Sequence, residues 1–123
     1  MQRVRNPIRA ARAVLDDGQA VLLGGEAADA FARERGLSMV DNSYYTTPAR
    51  VQALAAVQAR RRSGSARAVT EADRHGTVGA VARDQNGHLA AGTSTGGFND
   101  KPTGRIGDSP LIGAGTYARD GVC

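Results

Sequence analysis

The sequence changes its pattern abruptly near its middle, and this change limits what the chain can fold into. Up to Arg62, apolar residues recur at the three- and four-residue spacing of helices. From Arg62 to His75, small, polar and charged residues replace that period, which is typical of a linker. Residues 77–84 and 88–95 are then two runs of Val, Ala, Gly and Thr, joined by Gln85-Asn86-Gly87. Because Asn-Gly favours a tight turn between strands, the sequence predicts helices, a linker and a β-hairpin.

Three helices are predicted in the first part. The first has Asn6 as N-cap and Pro7 as its first residue, and it ends at Gly18. The second runs from Glu26 to Arg35, after a short apolar run, Ala20 to Leu23, that predicts a strand. The third begins at Thr47 and Pro48. The apolar residues expected on the inner helix faces are Ile8, Ala11, Val14 and Leu15, then Ala27, Ala30 and Phe31, then Val51, Leu54 and Val57.

Both hairpin strands carry apolar or small residues at successive positions, as in residues 78–82, instead of alternating with polar ones. Such strands are typical of a sheet that is covered on both faces. Residues 103–123 are rich in Gly without a clear period, which predicts loops or short strands. The predicted fold class is therefore α+β, with a helical part over residues 1–61, a linker over 62–76 and the hairpin part over 77–123.

The charge of the chain lies mainly in its first part. The net charge is +4, and residues 1–75 hold twelve Arg against eight acidic residues, whereas residues 76–123 are balanced. The densest cluster, Arg60, Arg61, Arg62 and Arg67, could be a nucleic-acid patch. Cations also favour helix C-termini, and no aromatic residues interleave with the arginines for base stacking. A solvated helix end is the preferred interpretation, so no nucleic-acid partner is expected.

Composition also bears on the compartment. With 41% hydrophobic and 23% charged residues, the chain has the balance of a globular protein. Cys123 has no second cysteine to pair with. No apolar run reaches the roughly 20 residues that a membrane span needs, and no signal peptide is recognisable. A cytoplasmic protein without a membrane partner is the expectation.

Thr77 is the main candidate for chemistry, since it follows Gly76 and the linker and opens a predicted strand. Cleavage of the Gly76–Thr77 bond would leave a threonine with a free α-amine at the edge of a sheet. That amine, with a reference pKa of about 8, could act as the base that a Thr hydroxyl needs. Gly76 would tolerate unusual backbone angles and leave its carbonyl open to attack. Judged by these residues alone, an ordinary strand-forming Thr is the commoner interpretation.

Four ordered blocks change that interpretation. They are H-G-T-V-G-A-V-A-R-D (75–84), N-G-H-L-A-A-G-T-S-T-G-G (86–97), K-P-T-G-R-I-G-D-S-P (101–110) and L-I-G-A-G-T-Y-A (111–118). Together they resemble the plant-type asparaginase/isoaspartyl peptidase family of threonine N-terminal-nucleophile hydrolases, in that order and spacing. The upstream segments R-N-P-I-R-A-A-R-A-V (5–14) and V-D-N-S-Y (40–44) are similar to the α-subunit of this family.

The resemblance implies a precursor that cleaves itself between Gly76 and Thr77 through an N-to-O acyl shift. Thr77 would then attack the side-chain amide of L-asparagine or the isopeptide bond of a β-aspartyl dipeptide, and water would release aspartate from the acyl-enzyme. Thr95 matches a second active-site threonine that hydrogen-bonds around the nucleophile. Without the resemblance, Thr95 would be a strand-end residue capping the turn into Gly96 and Gly97.

The third block implies a clamp for the amino-acid end of the substrate. Arg105 would bind the α-carboxylate with two parallel N–H donors, and Asp108 would accept from the α-ammonium group. Ile106 and Gly107 would form the backbone wall of the pocket. Without the resemblance, Arg105 and Asp108 would be a surface pair bracketing a loop.

The implied fold is part of an αββα four-layer sandwich, incomplete in this chain, and the implied assembly is a dimer of αβ heterodimers. The family's H-G-G-A strand and its sodium-binding loop are expected before Met1, so no cofactor or metal is expected here. The Thr-Gly pair of the oxyanion hole is expected beyond Cys123. The chain is therefore expected to be a truncated form that hydrolyses asparagine poorly. A non-catalytic remnant or structural subunit and a glycosylasparaginase-like hydrolase are the alternatives.

Overall fold

The computed structural model describes residues 1–64 and 76–122, and the chain divides into two units, Met1–Thr46 and Thr47–Cys123. The first unit contains helices α1 (Pro7–Asp17) and α2 (Gly25–Glu34) and a 3-10 turn (Asn42–Tyr45). The second contains helix α3 (Pro48–Arg62) and strands β1 (Val78–Arg83) and β2 (Leu89–Ser94). This composition confirms the α+β class. None of the helices in the described ranges is long and apolar enough to cross a membrane.

Helix α1 begins and ends where the sequence predicts. Pro7 fixes φ in the first turn, although the Asn6 side chain makes no capping hydrogen bond. Gly18 adopts φ +67°, and its N–H donates to the Val14 carbonyl over 3.2 Å, which closes the last turn. The predicted inner face is wrong, because Leu15 is 74% exposed while Ala10 is fully buried.

The core of the first unit explains that error. Val4, Ala10 and Ala32 are buried together, with Leu37 and Met39 packed against them. Alanines on the facing sides of α1 and α2 let the two helices approach closely, so the larger apolar side chains point outward. The strand predicted over Ala20 to Leu23 does not form, and Val21 is 85% exposed.

The inner face of α2 also differs from the prediction, because Asp29 takes an inward position and Ala27 is exposed. The Asp29 carboxylate accepts hydrogen bonds from the backbone N–H groups of Gln2 and Arg3 at 3.0–3.1 Å. Without this acid those part-buried donors would lose their side-chain partner, which costs stability. Val4 then pairs with Met39 in an antiparallel bridge.

Helix α3 is capped as predicted, with the Thr47 hydroxyl accepting from the Arg50 N–H at 3.3 Å. Val57 is buried, but Val51 is 52% exposed. Arg60, Arg61 and Arg62 of the basic cluster form the solvated last turn of the helix, in which Arg61 pairs with Asp100. Most of the predicted linker, residues 65–75 including Arg67, lies outside the described residues.

The predicted hairpin is confirmed. β1 and β2 pair antiparallel, with Val78 opposite Ser94 and Arg83 opposite Leu89. Gly87 adopts φ +88° in the connecting turn, where its N–H donates to the Asp84 carbonyl. The expectation of a sheet covered on both faces is not met by the described residues.

The sheet is open because it has only these two strands in the described parts of the chain. Every β1 residue is exposed, and Val81 reaches 83%. The apolar pattern of β1 therefore lacks, within the described residues, the layers that would bury it.

Candidate active site

The open end of the hairpin brings the two predicted active-site threonines together. Thr77 precedes β1 and Thr95 follows β2, so the register that pairs Val78 with Ser94 sets them opposite each other. The Thr77 hydroxyl donates to Thr95 Oγ1 over 3.0 Å. Both side chains are exposed to solvent. The geometry thus joins two hydroxyls that are 18 residues apart in sequence.

The Thr95 hydroxyl contacts the following turn as well as Thr77. The Gly97 N–H donates to Thr95 Oγ1 at 3.0 Å, so the turn-capping role considered from the sequence is also present. A hydroxyl oxygen has two acceptor lone pairs and one donor proton. Thr77 and Gly97 occupy both lone pairs, which fixes the Thr95 oxygen and leaves its proton for a third partner.

Gly76, which was expected to tolerate unusual backbone angles, adopts a positive φ. Its φ is +134°, which L-residues with a side chain rarely adopt. A Cβ at this position would also lie 3.2 Å from Arg50 Nη2 of α3. The bond that would be cut therefore follows a residue held in a conformation that favours glycine.

Two cationic side chains converge on the turn after Thr95. Lys101 Nζ donates to the Gly96 carbonyl. A Cβ built on Gly97 would lie 3.3 Å from Lys101 Nζ and 3.6 Å from Arg105 Nη1. The predicted carboxylate-binding residue Arg105 thus lies beside Gly97, whose N–H the Thr95 hydroxyl caps, at the same end of the hairpin as the threonine pair.

Arg105 and Asp108 do not form an ion pair within the described part of the chain, and both side chains are exposed. A Cβ on Gly107 would lie 3.1 Å from Arg105 Nη1, so the predicted wall residue does lie against the guanidinium. Ile106 is 63% exposed. The structure therefore places Arg105 and Gly107 together, and among the described residues Arg105 and Asp108 do not form the surface pair that was the alternative to the clamp.

The partner that Arg105 does have was not predicted as a site residue. Its guanidinium carbon lies 4.2 Å from the centroid of the Phe98 ring. The sequence signal was an aromatic residue directly after the Gly96-Gly97 turn, in a chain with only 4% aromatic residues. Lys101 was likewise missed, although it stands four residues before Arg105.

The loop that carries Arg105 is tied to the hairpin. The Thr93 hydroxyl donates to the Ser109 carbonyl at 3.0 Å. A Cβ on Gly115 would come within 2.5 Å of the Ser109 carbonyl oxygen, so the chain requires glycine for this approach. Ser109 thus joins the third sequence block to β2, and Gly115 of the fourth block packs against Ser109.

The far end of the hairpin holds a second group of titratable residues. Asp84 accepts from the backbone N–H groups of Asn86 and His88, and its Oδ2 lies 2.8 Å from His88 Nδ1. The hydrogen bond with the His88 side chain, followed by those with the backbone, lowers the pKa of Asp84. In residues 1–64 and 76–122, no group of three or more His, Cys, Asp or Glu is placed to hold a metal.

Comparison with known proteins assigns the chain to one protein family. The asparaginase family model matches residues 1–123, and the chain belongs to that family. It is 46% identical over 123 residues to the isoaspartyl peptidase of Salmonella typhimurium strain LT2, covering 98% of this chain and 39% of the relative. The family resemblance seen in the four sequence blocks is confirmed.

Two further relatives agree. The isoaspartyl peptidase of Escherichia coli K12 is 43% identical, with 98% of this chain and 38% of the relative covered. The plant-type L-asparaginase of Pyrobaculum calidifontis is 41% identical, with 99% and 40% covered. The chain thus spans about two fifths of the length of these relatives.

Proposed function

We propose that this chain carries the nucleophile and the substrate-binding residues of a hydrolase for the L-asparagine side-chain amide and for β-aspartyl dipeptides. The 3.0 Å contact between the Thr77 and Thr95 hydroxyls is the observation that carries the proposal. A nucleophile and an orienting group within hydrogen-bond reach are what acyl transfer by a hydroxyl requires. The names of the similar proteins supply the substrate class.

The first proposed step is self-cleavage. Thr77 Oγ1 attacks the Gly76 carbonyl carbon, the Gly76–Thr77 C–N bond breaks, and the nitrogen takes up a proton to become the new α-amine. Water then hydrolyses the ester and releases the Gly76 carboxylate. Glycine at position 76 supports this step, because it has no Cβ to shield its carbonyl. Its positive φ is one that residues with a side chain rarely adopt.

The second proposed step is turnover. The freed α-amine of Thr77 takes the hydroxyl proton, and Oγ1 attacks the side-chain carbonyl of the substrate. Ammonia, or the amino acid of a dipeptide, leaves, and water releases aspartate. Arg105 binds the α-carboxylate and Asp108 the α-ammonium group. These steps use no cofactor.

The proposed context is an αββα four-layer sandwich in a dimer of αβ heterodimers, with Thr77 beginning the β-subunit. The family membership and the position of Thr77 immediately before β1 support this arrangement. In it, the exposed β1 and β2 faces would be covered on both sides.

Intact-mass measurement of the purified chain tests the proposal. We expect two fragments that separate between Gly76 and Thr77, retention of cleavage at a lower rate in Thr77→Ser, and a single uncut mass in Thr77→Ala. Thr46→Ala, an exposed threonine of the other unit, is the matched control and should cleave like the parent chain. A parent chain that stays uncut and does not bind L-aspartate contradicts the proposal.

A further inference from the structure

The contact between Arg105 and Phe98 assigns a role to a residue outside the predicted site. The guanidinium carbon lies 4.2 Å from the ring centroid, inside the roughly 6 Å range of a cation–π contact. Phe98 is half-buried, whereas Arg105 is exposed. We propose that Phe98 is a positioning residue that holds the Arg105 guanidinium for the substrate carboxylate. This inference rests on the proposed function of Arg105.

An aromatic ring can hold a guanidinium in place because it contacts the flat face of that group. All five N–H donors of a guanidinium lie in its plane, and a bidentate carboxylate approaches in that plane. An acidic partner would occupy those donors, but an aromatic ring contacts the flat face and leaves the edge open. No acidic side chain of the described residues pairs with Arg105. The guanidinium is therefore restrained by Phe98 without losing its carboxylate-binding edge.

The surrounding backbone restricts the guanidinium further. Arg105 Nη1 lies 3.6 Å from the position a Cβ would take on Gly97 and 3.1 Å from the corresponding position on Gly107. Both glycines provide room for the group, and Phe98 follows Gly97 directly in the chain. The ring thus fixes Arg105 next to the turn that the Thr95 hydroxyl caps.

Restraint before binding has a measurable consequence. A flexible arginine loses rotamer freedom when it binds a carboxylate, so a held guanidinium binds more tightly. The usual strength of an exposed cation–π contact corresponds to about a two- to fivefold change in affinity. We therefore expect Phe98→Leu to weaken L-aspartate binding by about that factor. Phe98→Tyr keeps the ring and should bind like the parent chain.

The experiment combines two measurements on the full chain and its variants. Nuclear magnetic resonance reports the ring-current shift of the Arg105 Hδ and Hε protons, and a titration with L-aspartate gives Kd. Phe98→Leu should lose the shift and raise Kd, and Phe98→Tyr should preserve both values. Val81→Ala, an 83% exposed apolar position on β1, controls for general effects of an apolar substitution. In any turnover assay, Phe98→Leu should raise KM and leave kcat nearly unchanged.

The outcomes separate this inference from the function on which it rests. Loss of the shift with an unchanged Kd in Phe98→Leu overturns the positioning role, while the proposed function stands. An Arg105 signal without a ring-current shift in the parent chain overturns it too. Failure of the parent chain to bind L-aspartate removes the proposed function of Arg105 itself and the inference with it.

Discussion

The Thr95 hydroxyl oxygen accepts from both the Thr77 hydroxyl and the Gly97 N–H. Thr95→Ala removes the acceptor that orients Thr77 and leaves the Gly97 donor without its partner. The net free-energy contribution of one hydrogen bond, about 1 kcal/mol, corresponds to roughly a fivefold change in rate. We expect Thr95→Ala to slow self-cleavage by at least that factor, and Thr95→Ser to restore it.

The time course of the intact mass checks this prediction. Ser94→Ala is the matched control, since Ser94 neighbours Thr95 at the end of β2. Equal cleavage rates in Thr95→Ala and the parent chain would show that the 3.0 Å contact does not orient the nucleophile. Slow cleavage in both Thr95→Ala and Thr95→Ser would point to packing by the Thr methyl group.

At the scale of the element, the hairpin turn depends on the ionised Asp84 carboxylate. The His88 side chain, followed by backbone N–H groups, holds the pKa of Asp84 below its usual value. A lowered folded-state pKa means that this stabilisation is complete above the unfolded pKa, about 3.9, and is lost as the pH falls through the folded value. The stabilisation of the turn by Asp84 should therefore be complete at neutral pH, and the turn should loosen in acid below about pH 4.

The His88 amide chemical shift, followed from pH 7 into acid, measures this effect. In Asp84→Asn the transition below about pH 4 should disappear, since the introduced side-chain amide has no acidic proton to gain or lose. Asp16→Asn, which removes a carboxylate paired with Arg12 on α1, provides a control and should leave the transition in place. A His88 amide whose titration is the same with and without the Asp84 carboxylate would contradict the assignment.

The elements whose signals are local were predictable, and those that depend on distant partners were not. Pro7 and Gly18 bound α1, and Asn86 and Gly87 mark the hairpin turn, because caps and turns are set by neighbouring residues. The inner face of α2 was mispredicted because the backbone donors that Asp29 satisfies lie 26 and 27 residues earlier.

The contrast between local signals and distant partners also applies to the contacts of the candidate site. The Thr77–Thr95 contact follows from hairpin register, which the turn position sets. The contact between Arg105 and Phe98 depends on how a loop folds back, and their separation of seven residues carries no register that predicts it. The threonine contact, which the register sets, was foreseen, whereas the contact between Arg105 and Phe98, which the loop sets, was not.

At the scale of the whole molecule, the core is small. The buried hydrophobic residues in the described ranges are Val4, Ala10, Ala28, Ala32 and Val57. An isolated two-stranded hairpin is marginally stable in water, and β1 here is exposed along its whole length. The site residues are therefore assembled on an element that is open to solvent.

This openness predicts slow turnover by the 123-residue chain, even where self-cleavage and aspartate binding occur. Electrostatic stabilisation of a developing oxyanion is strongest where water is excluded, and one lost donor costs about 10²–10³ in rate. Thr77 and Thr95 are both exposed, so water competes with every group that would stabilise the tetrahedral intermediate. Ammonia release from L-asparagine, compared between the parent chain and Thr77→Ala, measures the effect. We expect a small difference; fast release that Thr77→Ala abolishes would show that an exposed threonine pair suffices for catalysis.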